Sequence, residues 1–503
     1  MSVVYNVLTY LQEAAGTVPE KTAFSDGREA LSYGELFRRS RAIGTAIHRR
    51  TEALRRPVFV CIGRDVASVT AFFGVVCSGC FYVPIDPALP DTRLQEIFRT
   101  MRPSLVITTR PDTRPLPFAG CECCALEELT AEKEDPVCLE QIRTQMLDVD
   151  PLYCIFTSGS TGIPKGVLVS HRSVIDMAEQ FTDVFALGED CIFGNQAPFD
   201  FDVSVKDIYL AVKNRASVCI LERSLFSFPR KLIERLNERK VNTLIWSVSA
   251  MKILSALKCF QTVCPEYLRL VMFSGEALPC RILNEWKHYL PEASFVNLYG
   301  PTEITCNCTY YKVDRPFSDT EALPIGRAFP NTGILLLDGD EPVTEAGSGG
   351  EICVTGSCLA LGYYADAERT EKVFCQIPTQ SHWAQRIYRT GDLGRWNEAG
   401  ELLFLGRADS QVKHMGFRIE LGEIETAANA IGFVDAACCL YHSEREQLCL
   451  FYQAKEQNDK ALLAELKEKL PAFMIPRKLY YFEKMPENRT GKIDRAYLRK
   501  TYF

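Results

Sequence analysis

TSGSTGIPKGV, residues 157–167, combines three glycines, four hydroxyl side chains and one lysine in eleven residues. Glycines let a backbone approach a ligand closely, while hydroxyls, free amides and a lysine suit anionic oxygens. The apolar run LYCIF precedes this stretch, and Ser170 followed by HRSVIDMAEQF predicts a capped helix. We therefore expect a phosphate-binding loop at a strand-to-helix turn, where anions bind, with an ordinary surface loop as the alternative.

The composition is that of a soluble globular protein with two or more domains. The chain has 503 residues, of which 47% are hydrophobic and 24% charged, and its formal net charge is −7. With no long basic run, nucleic acid is not expected as the main partner, and the lack of a long apolar stretch or a leader predicts a cytoplasmic protein without membrane insertion. The 21 scattered cysteines indicate reduced thiols.

Strand-like apolar runs alternate with helical segments over the first part of the chain, which predicts an α/β fold with mainly parallel sheets. From about Ile334, short alternating strands with glycine-rich turns predict a small, barrel-like β part. A boundary near Asp409 separates a large N-terminal domain, residues 1–408, from a small α+β C-terminal domain, residues 409–503. Ligands are expected at the carboxyl ends of the parallel strands.

Several further motifs accompany the glycine-rich loop in a fixed order. They are YVPIDPALPDTRL at 82–94, NLYGPTE at 297–303, YRTGDLG at 388–394, GRADSQVK at 406–413, GFRIELGEIE at 416–425 and NRTGKIDR at 488–495. Together they resemble the core motifs of the adenylate-forming superfamily, specifically amino-acid adenylation domains. The resemblance covers nearly the whole chain. It implies an ATP-dependent ligase that joins a carboxylate to the α-phosphate of ATP, releases diphosphate, and passes the acyl group to a thiol, so that most of the catalysis is electrostatic and positional.

The resemblance also implies which residues bind ATP and Mg²⁺. Thr302 would contact the α-phosphate region and Glu303 would hold Mg²⁺, for which a carboxylate is a suitable ligand. Tyr299 would stack on adenine, Asp392 would accept both ribose hydroxyls, and Arg407 would support the ribose side. Taken singly, Tyr299 would equally suit a core position, and Asp392 or Glu303 a turn cap. The remaining nucleotide-binding positions implied by the motifs are Thr157, Ser158, Gly159, Ser160, Thr161, Gly162, Lys165, Asn297 and Gly300.

Lys492 resembles the mobile catalytic lysine of this superfamily, which bridges the substrate carboxylate and the phosphate during adenylation. A long, flexible ammonium is suited to gathering two anions. Asp409 occupies the hinge position, about which the small domain would turn to exchange Lys492 for the loop near Gly416. The second half-reaction would then use a different face of the small domain.

The segment APFDFDVSVKDIY, residues 197–209, indicates the substrate class. By resemblance, Asp202 pairs with the α-ammonium of an amino acid, a contact that activators of fatty and aryl acids do not need; Asp200 is a nearby competitor for this role. A buried Lys206 would have to pair with a carboxylate or a polar substrate group, or else point to solvent. The substrate-binding positions implied by register are Asp202, Val203, Lys206, Met272, Ser274, Leu298, Cys306 and Asn307. They indicate a small amino acid, such as alanine of either hand, serine or cysteine, with a more polar side chain as an open alternative.

Within the superfamily, APFDFDVSVKDIY and VMFSGEALP most resemble the stand-alone ligases that load D-alanine onto a carrier protein. The sequence departs from that pattern at four places: Ser274 replaces a cysteine, Lys206 an apolar residue and Asn307 a small residue, and Val248-Ser249 stands where Pro-Ser is usual. A free-standing adenylation enzyme of a nonribosomal peptide pathway therefore remains open. Because the chain ends soon after Lys492, the expected acceptor is the phosphopantetheine thiol of a separate carrier protein. The alternatives are an acyl- or aryl-acid CoA ligase and a catalytically silent scaffold.

Overall fold

The structure is a computed structural model of the chain, and it describes residues 4–110, 115–159, 164–343, 345, 347–408, 411–486 and 493–503. The predicted α/β class is confirmed, because two large mixed sheets with flanking helices make up most of residues 4–328. The seven apolar runs that predict strands all lie in these two sheets; they are PVFVCI, LVITT, LYCIF, SVCIL, NTLIW, LRLVMF and FVNLY. In the described part of the chain, no helix is long and apolar enough to cross a membrane.

The first sheet has seven strands, five of which are mutually parallel and two antiparallel at one edge. In spatial order the strands are Gly362–Tyr363, Lys165–Ser170, Pro151–Thr157, Phe81–Ile85, Pro57–Cys61, Leu105–Thr108 and Cys123–Ala125. The strands Pro57–Cys61 and Phe81–Ile85 are buried at every position, as expected for parallel strands with both faces covered.

The second sheet has nine strands, and its central six are parallel. In spatial order they are Arg327–Ala328, Thr309–Lys312, Ser294–Tyr299, Leu270–Ser274, Thr243–Ser247, Ile192–Asn195, Ser217–Ile220, Thr22–Ser25 and Ala30–Ser32. The helices of this part of the chain are Leu8–Thr17, Tyr33–Thr51, Val66–Cys77, Asp91–Met101, Leu126–Thr130, Pro136–Gln145, His171–Phe185, Val203–Asn214, Pro229–Glu238, Val248–Ala256, Cys280–Tyr289 and Ala367–Val373.

The third sheet is antiparallel and follows where the alternating pattern was recognised. Its strands are Glu341–Pro342, Thr332–Asp338, Gly349–Gly356, Arg386–Trp396 and Phe374–Gln376, with Leu402–Arg407 paired to the long strand Arg386–Trp396. This sheet carries Asp392 and Arg407 as directly paired residues of neighbouring strands.

The C-terminal part has its own hydrophobic core. A hairpin of Gln411–His414 and Phe417–Glu420 leads into a three-stranded sheet of Val434–His442, Gln447–Ala454 and Lys478–Phe482, flanked by helices Leu421–Asn429, Asp459–Lys469 and Arg495–Tyr502. Helices and strands therefore both occur in residues 411–503, as the prediction of a small α+β domain requires. Asp409 lies outside the described residues, so the domain boundary stays a prediction.

The predicted strand-to-helix turn after Thr157 is wrong. The glycine-rich loop instead joins the antiparallel strands Pro151–Thr157 and Lys165–Ser170, in which Thr157 pairs with Lys165. The helix begins only at His171, where the Ser170 hydroxyl accepts a hydrogen bond from the Ser173 amide as predicted for its cap. The run KGVLVS forms a strand because its apolar residues pack on the neighbouring sheet strands, so a whole strand separates this loop from the N-terminus of helix His171–Phe185.

Candidate active site

The predicted substrate pocket lies at the carboxyl ends of adjacent parallel strands. Met272 and Ser274 belong to strand Leu270–Ser274, and Leu298 belongs to the neighbouring strand Ser294–Tyr299. All three side chains are buried. Because parallel strands end at one edge of the sheet, residues far apart in sequence meet there, as the ligand-binding rule for α/β sheets requires.

Asp202 immediately precedes helix Val203–Asn214 and is buried. Burial raises the pKa of its carboxyl group, while a hydrogen bond with Thr302 and the positive charge of Lys206 act against that rise. The competitor Asp200 has a different electrostatic environment: burial and Asp86 raise its pKa to about 6, and its neighbouring cations are Arg64 and Arg223. Of the two carboxylates, Asp202 is therefore the one grouped with the other predicted pocket residues.

Lys206 is fully buried, so the alternative that it points to solvent is wrong. Its ammonium Nζ donates a hydrogen bond to Oδ1 of Asn307 at 2.6 Å, a contact between residues 101 positions apart. Burial lowers the pKa of Lys206, with Cys306, Asp202 and Asp207 acting in the opposite direction. Two of the four departures from the D-alanine ligase pattern thus form one contact.

The loop that carries Cys306 and Asn307 has a constrained backbone. Thr305 and Cys306 have positive φ values of 57° and 78°, which non-glycine residues rarely adopt and which often mark functional sites. The Cys306 thiol donates to the backbone carbonyl of Asp202 at 3.0 Å. A Cβ atom on Gly300 would come within 2.6 Å of the Asn307 Cα atom, so Gly300 allows this loop to pack against the strand end.

Glu303 is the centre of a buried charge cluster. Its Oε1 accepts a hydrogen bond from the Tyr363 hydroxyl at 2.8 Å and lies 3.1 Å from the Lys165 ammonium, and its Oε2 lies 2.7 Å from the Arg418 guanidinium. Although burial opposes ionisation, Arg418 and Lys165 hold the pKa of Glu303 well below its usual value. Burial and the nearby Arg418 lower the pKa of Lys165. The carboxylate is therefore ionised and fully neutralised by the chain's own cations.

The described part of the glycine-rich loop contacts the C-terminal part of the chain. The Ser158 hydroxyl donates to the backbone carbonyl of Arg418 at 2.7 Å, and the Gly159 amide donates to Oε2 of Glu423 at 3.2 Å. Glu423 also forms a buried ion pair with Arg93. The Thr157 hydroxyl is buried without a hydrogen-bond partner among the described residues. Ser160, Thr161 and Gly162, the remaining hydroxyl and glycine positions predicted here, lie outside those residues.

The predicted nucleoside-binding residues form a second buried group. The Tyr299 hydroxyl donates to Oδ2 of Asp392 at 2.6 Å, and the Arg407 guanidinium pairs with Oδ1 of the same carboxylate at 2.5 Å. Burial and Asp392 raise the pKa of Tyr299 well above its usual value, so its hydroxyl keeps its proton and acts as the donor. The Asn297 amide donates to the backbone carbonyl of Pro324 at 2.8 Å, a contact that fixes the neighbouring loop.

The hairpin Gln411–Glu420 brings residues into the site that motif reasoning did not assign. Arg418 reaches Glu303, and the Lys413 ammonium lies 6.0 Å from the centre of the Tyr299 ring. The Gly416 amide donates to Oε1 of Glu276 at 2.9 Å. Arg418 and Lys413 belong to motifs that were recognised, but their partners could not be inferred from spacing alone. Tyr363 belongs to no recognised motif. The catalytic lysine predicted at position 492 lies outside the described residues.

Comparisons with known proteins agree with this geometry. The family described as AMP-binding enzyme matches residues 11–364. The D-alanine–D-alanyl carrier protein ligase of Bacillus licheniformis is 32% identical, with 97% of this chain and 98% of that protein covered. Tyrocidine synthase 1 of Brevibacillus parabrevis is 29% identical over 97% of this chain and 44% of that protein. A solved structure described as holo-PA1221, a nonribosomal synthetase protein with adenylation and PCP domains bound to a vinylsulfonamide inhibitor, is 26% identical and superposes with a TM-score of 0.85 over 99% of this chain and 84% of that one.

Proposed function

Because the chain belongs to the AMP-binding family of adenylate-forming enzymes, we propose that it activates a small amino acid with ATP and transfers it to the phosphopantetheine thiol of a separate carrier protein. The observation that carries this proposal is the buried carboxylate of Asp202, placed beside Thr302 and close to Glu303. A carboxylate in this position is suited to an α-ammonium and has no use in binding an acyl or aryl acid.

The residues present fit ATP and Mg²⁺. The Thr157 hydroxyl is a buried polar group without a partner in the described chain, and Lys165 is a nearby cation, so together they suit phosphate oxygens. Glu303, an ionised carboxylate, is the residue that would hold Mg²⁺, which would supply charge neutralisation for the phosphates. Arg418 occupies one oxygen of Glu303 in this arrangement, so the C-terminal hairpin must withdraw before that oxygen is available.

In the first half-reaction, a carboxylate oxygen of the amino acid attacks the α-phosphorus of ATP and diphosphate leaves. Asp202 holds the α-ammonium and thereby orients the carboxylate, while Lys165 and the loop around it neutralise the phosphates. Tyr299, Asp392 and Arg407 hold the nucleoside. We assign to Lys492 the contact that gathers the attacking carboxylate and the phosphate, because two anions must approach each other and a mobile ammonium lowers the repulsion.

In the second half-reaction, the thiol of the carrier protein attacks the acyl carbon and AMP leaves. We propose that the arrangement described here, with hairpin Gln411–Glu420 docked at Glu303, belongs to this step. Three contacts favour that view. Arg418 pairs with Glu303, and both Ser158 and Gly159 of the phosphate-binding loop are bonded to the C-terminal part, so in this state these groups are engaged by the chain itself.

The test is ATP–diphosphate exchange with all twenty L-amino acids, D-alanine and D-serine, using the wild-type chain and Asp202→Ala. We expect exchange with one amino acid or a few related ones, and its loss in Asp202→Ala. Exchange with D-alanine alone would assign the D-alanine ligase role, and a polar L-amino acid would assign a free-standing pathway loader. Turnover of a fatty or aryl acid with CoA, in the absence of amino-acid-dependent exchange, would contradict the proposal.

A further inference from the structure

Lys206 carries a charge that the described part of the chain does not balance locally. Its side chain is fully buried, and the Asn307 amide oxygen, at 2.6 Å, is its one hydrogen-bond partner there. No carboxylate of that part lies within salt-bridge distance. An ammonium has three N–H donors, and a buried charge is normally paired with an ion of opposite sign. The neutral Asn307 satisfies one donor and supplies no negative charge.

The Lys206 side chain lies close to Asp202. Asp202 immediately precedes helix Val203–Asn214, and Lys206 is four residues later, so their side chains lie on the same face of the helix about one turn apart. Asn307 adjoins Cys306, whose thiol is bonded to the Asp202 backbone carbonyl. The group that recognises the α-ammonium and the group that holds Lys206 are therefore linked by direct contacts.

The orientation of Asn307 follows from chemistry. An ammonium only donates hydrogen bonds, so the atom that faces Lys206 must be the amide oxygen, and the amide nitrogen must face elsewhere. Asn307 is 5% exposed, so its two N–H donors lie in a buried environment. Apart from the hydrogen bond between them, the side chains of Lys206 and Asn307 offer a ligand N–H donors.

The charge balance changes when an amino acid binds. Asp202 contributes a negative charge near Lys206, and Asp207, whose pKa burial raises to about 7, is only partly ionised at neutral pH. Arg64 is a further cation near Asp207. Once the α-ammonium of the substrate neutralises Asp202, Lys206 remains as an excess positive charge in a buried site. A side-chain anion on the substrate would restore neutrality and satisfy the remaining donors.

We infer that the amino acid activated here has an acidic side chain, whose carboxylate is bound by the Lys206 ammonium and the Asn307 amide. This inference rests on the function proposed above and narrows its substrate. Aspartate and glutamate share the chemistry and differ in length, so the assay includes both, in either chirality. Lys206 and Asn307 are then specificity-determining residues, and the two departures from the D-alanine ligase pattern have one common reason.

The experiment compares ATP–diphosphate exchange for aspartate, glutamate, asparagine, alanine and serine on three forms of the full chain: wild type, Lys206→Met and Asn307→Asp. The wild type is expected to prefer an acidic amino acid over its neutral analogues by roughly 100-fold, the scale of a buried charge pair. Lys206→Met should abolish that preference. Asn307→Asp gives Lys206 a carboxylate from the chain itself, so it should reverse the preference towards asparagine, alanine or serine.

Lys213→Met is the matched control. Lys213 lies near the end of the same helix and pairs with Glu179 at 2.9 Å, outside the pocket, so the substrate ratio should not change. The ratio of two substrates on one preparation does not depend on the amount of folded protein, which keeps a poorly folding variant informative. If Lys206→Met does not fold, the substrate ratios of the wild type and of Asn307→Asp test the inference on their own.

Two failures are distinguishable. Exchange with alanine or serine at least as strong as with the acidic amino acids, together with an unchanged ratio in Asn307→Asp, would overturn the acidic-substrate inference and leave the amino acid ligase intact. Exchange with no amino acid, alongside turnover of an acyl or aryl acid, would overturn the proposed function itself.

Discussion

Replacing Arg418 with methionine tests the assignment of the docked hairpin to the transfer step. Arg418 pairs with Glu303 at 2.7 Å, and their side chains are 14% and 0% exposed. Loss of one partner from a buried ion pair costs about 3–5 kcal/mol. Lys165 still lies 3.1 Å from Glu303, so the expected cost is at the low end of that range or below it. We take about 2–3 kcal/mol, which corresponds to roughly 30- to 150-fold in a rate or population.

Under the proposed function that cost falls on the docked arrangement alone, because the hairpin that carries Arg418 would leave Glu303 when the phosphates bind. Two assays separate the half-reactions: ATP–diphosphate exchange reports adenylation, and loading of a phosphopantetheinylated carrier protein reports transfer. In Arg418→Met, the rate of carrier-protein loading should fall by roughly 30- to 150-fold, while the rate of ATP–diphosphate exchange changes by no more than about 3-fold. Arg230→Met is the control, because Arg230 is 76% exposed and pairs with Glu234 on its own helix, far along the chain from the hairpin.

An exchange rate that falls as far as the loading rate would refute this reasoning, since Arg418 would then serve adenylation as well. Loading that is unchanged while Arg418→Met remains folded would also refute it, because the Arg418–Glu303 pair would then contribute nothing to the arrangement that performs transfer. Thermal unfolding of both variants shows whether a change in stability accounts for either result.

Three further predictions concern other parts of the chain. Burial lowers the pKa of His171 to about 4, whereas an unfolded histidine titrates near 6.5, so stability is lost as pH falls through this interval; at pH 5 the loss is about 2 kcal/mol relative to pH 7. Chemical unfolding at both pH values should show a smaller loss in His171→Gln and the wild-type loss in His288→Gln, which changes an exposed residue. Gly300→Ala should reduce exchange by about 10-fold or more, because the new Cβ atom meets the Asn307 backbone at 2.6 Å; an unchanged exchange rate would show that the loop yields without effect. Lys492→Ala should slow adenylation by roughly 10²–10⁴ while equilibrium binding of ATP changes much less, and equal losses in both would remove the role assigned to it.

Sequence patterns were sufficient to predict the parallel strands, but they did not predict the element that follows the loop after Thr157. Strands such as Pro57–Cys61 are continuous apolar runs, so their burial and their type follow from local composition. The run KGVLVS is short and is followed at once by a strong helix cap, so the sequence indicated the helix and not the strand before it. Its strand conformation depends on antiparallel pairing with Pro151–Thr157, a tertiary contact that no local signal carries.

In the site, too, the sequence identified the motifs but not the partners that their side chains contact. The membership of the AMP-binding family that the motifs predicted is confirmed by the comparisons. The partner of Lys206 was left open from the sequence, and the structure identifies it as Asn307, 101 residues away. Tyr363 contributes a hydroxyl to Glu303 without belonging to any recognised motif. These contacts follow from which strand ends share an edge and from where the C-terminal hairpin docks, and neither is encoded within a single motif.

Under the proposed function, Glu303 would link the two half-reactions through competition for its oxygens. In the arrangement described here, Oε1 is bonded to Tyr363 and faces Lys165, while Oε2 is paired with Arg418. If Glu303 holds Mg²⁺ during adenylation, Arg418 and the metal ion cannot neutralise the same oxygen at once. Docking of the hairpin would then supply Glu303 with a positive charge from the chain, Arg418, where Mg²⁺ would supply it during adenylation. The buried carboxylate would stay neutralised in both states, which would remove the electrostatic penalty that otherwise opposes the exchange between them.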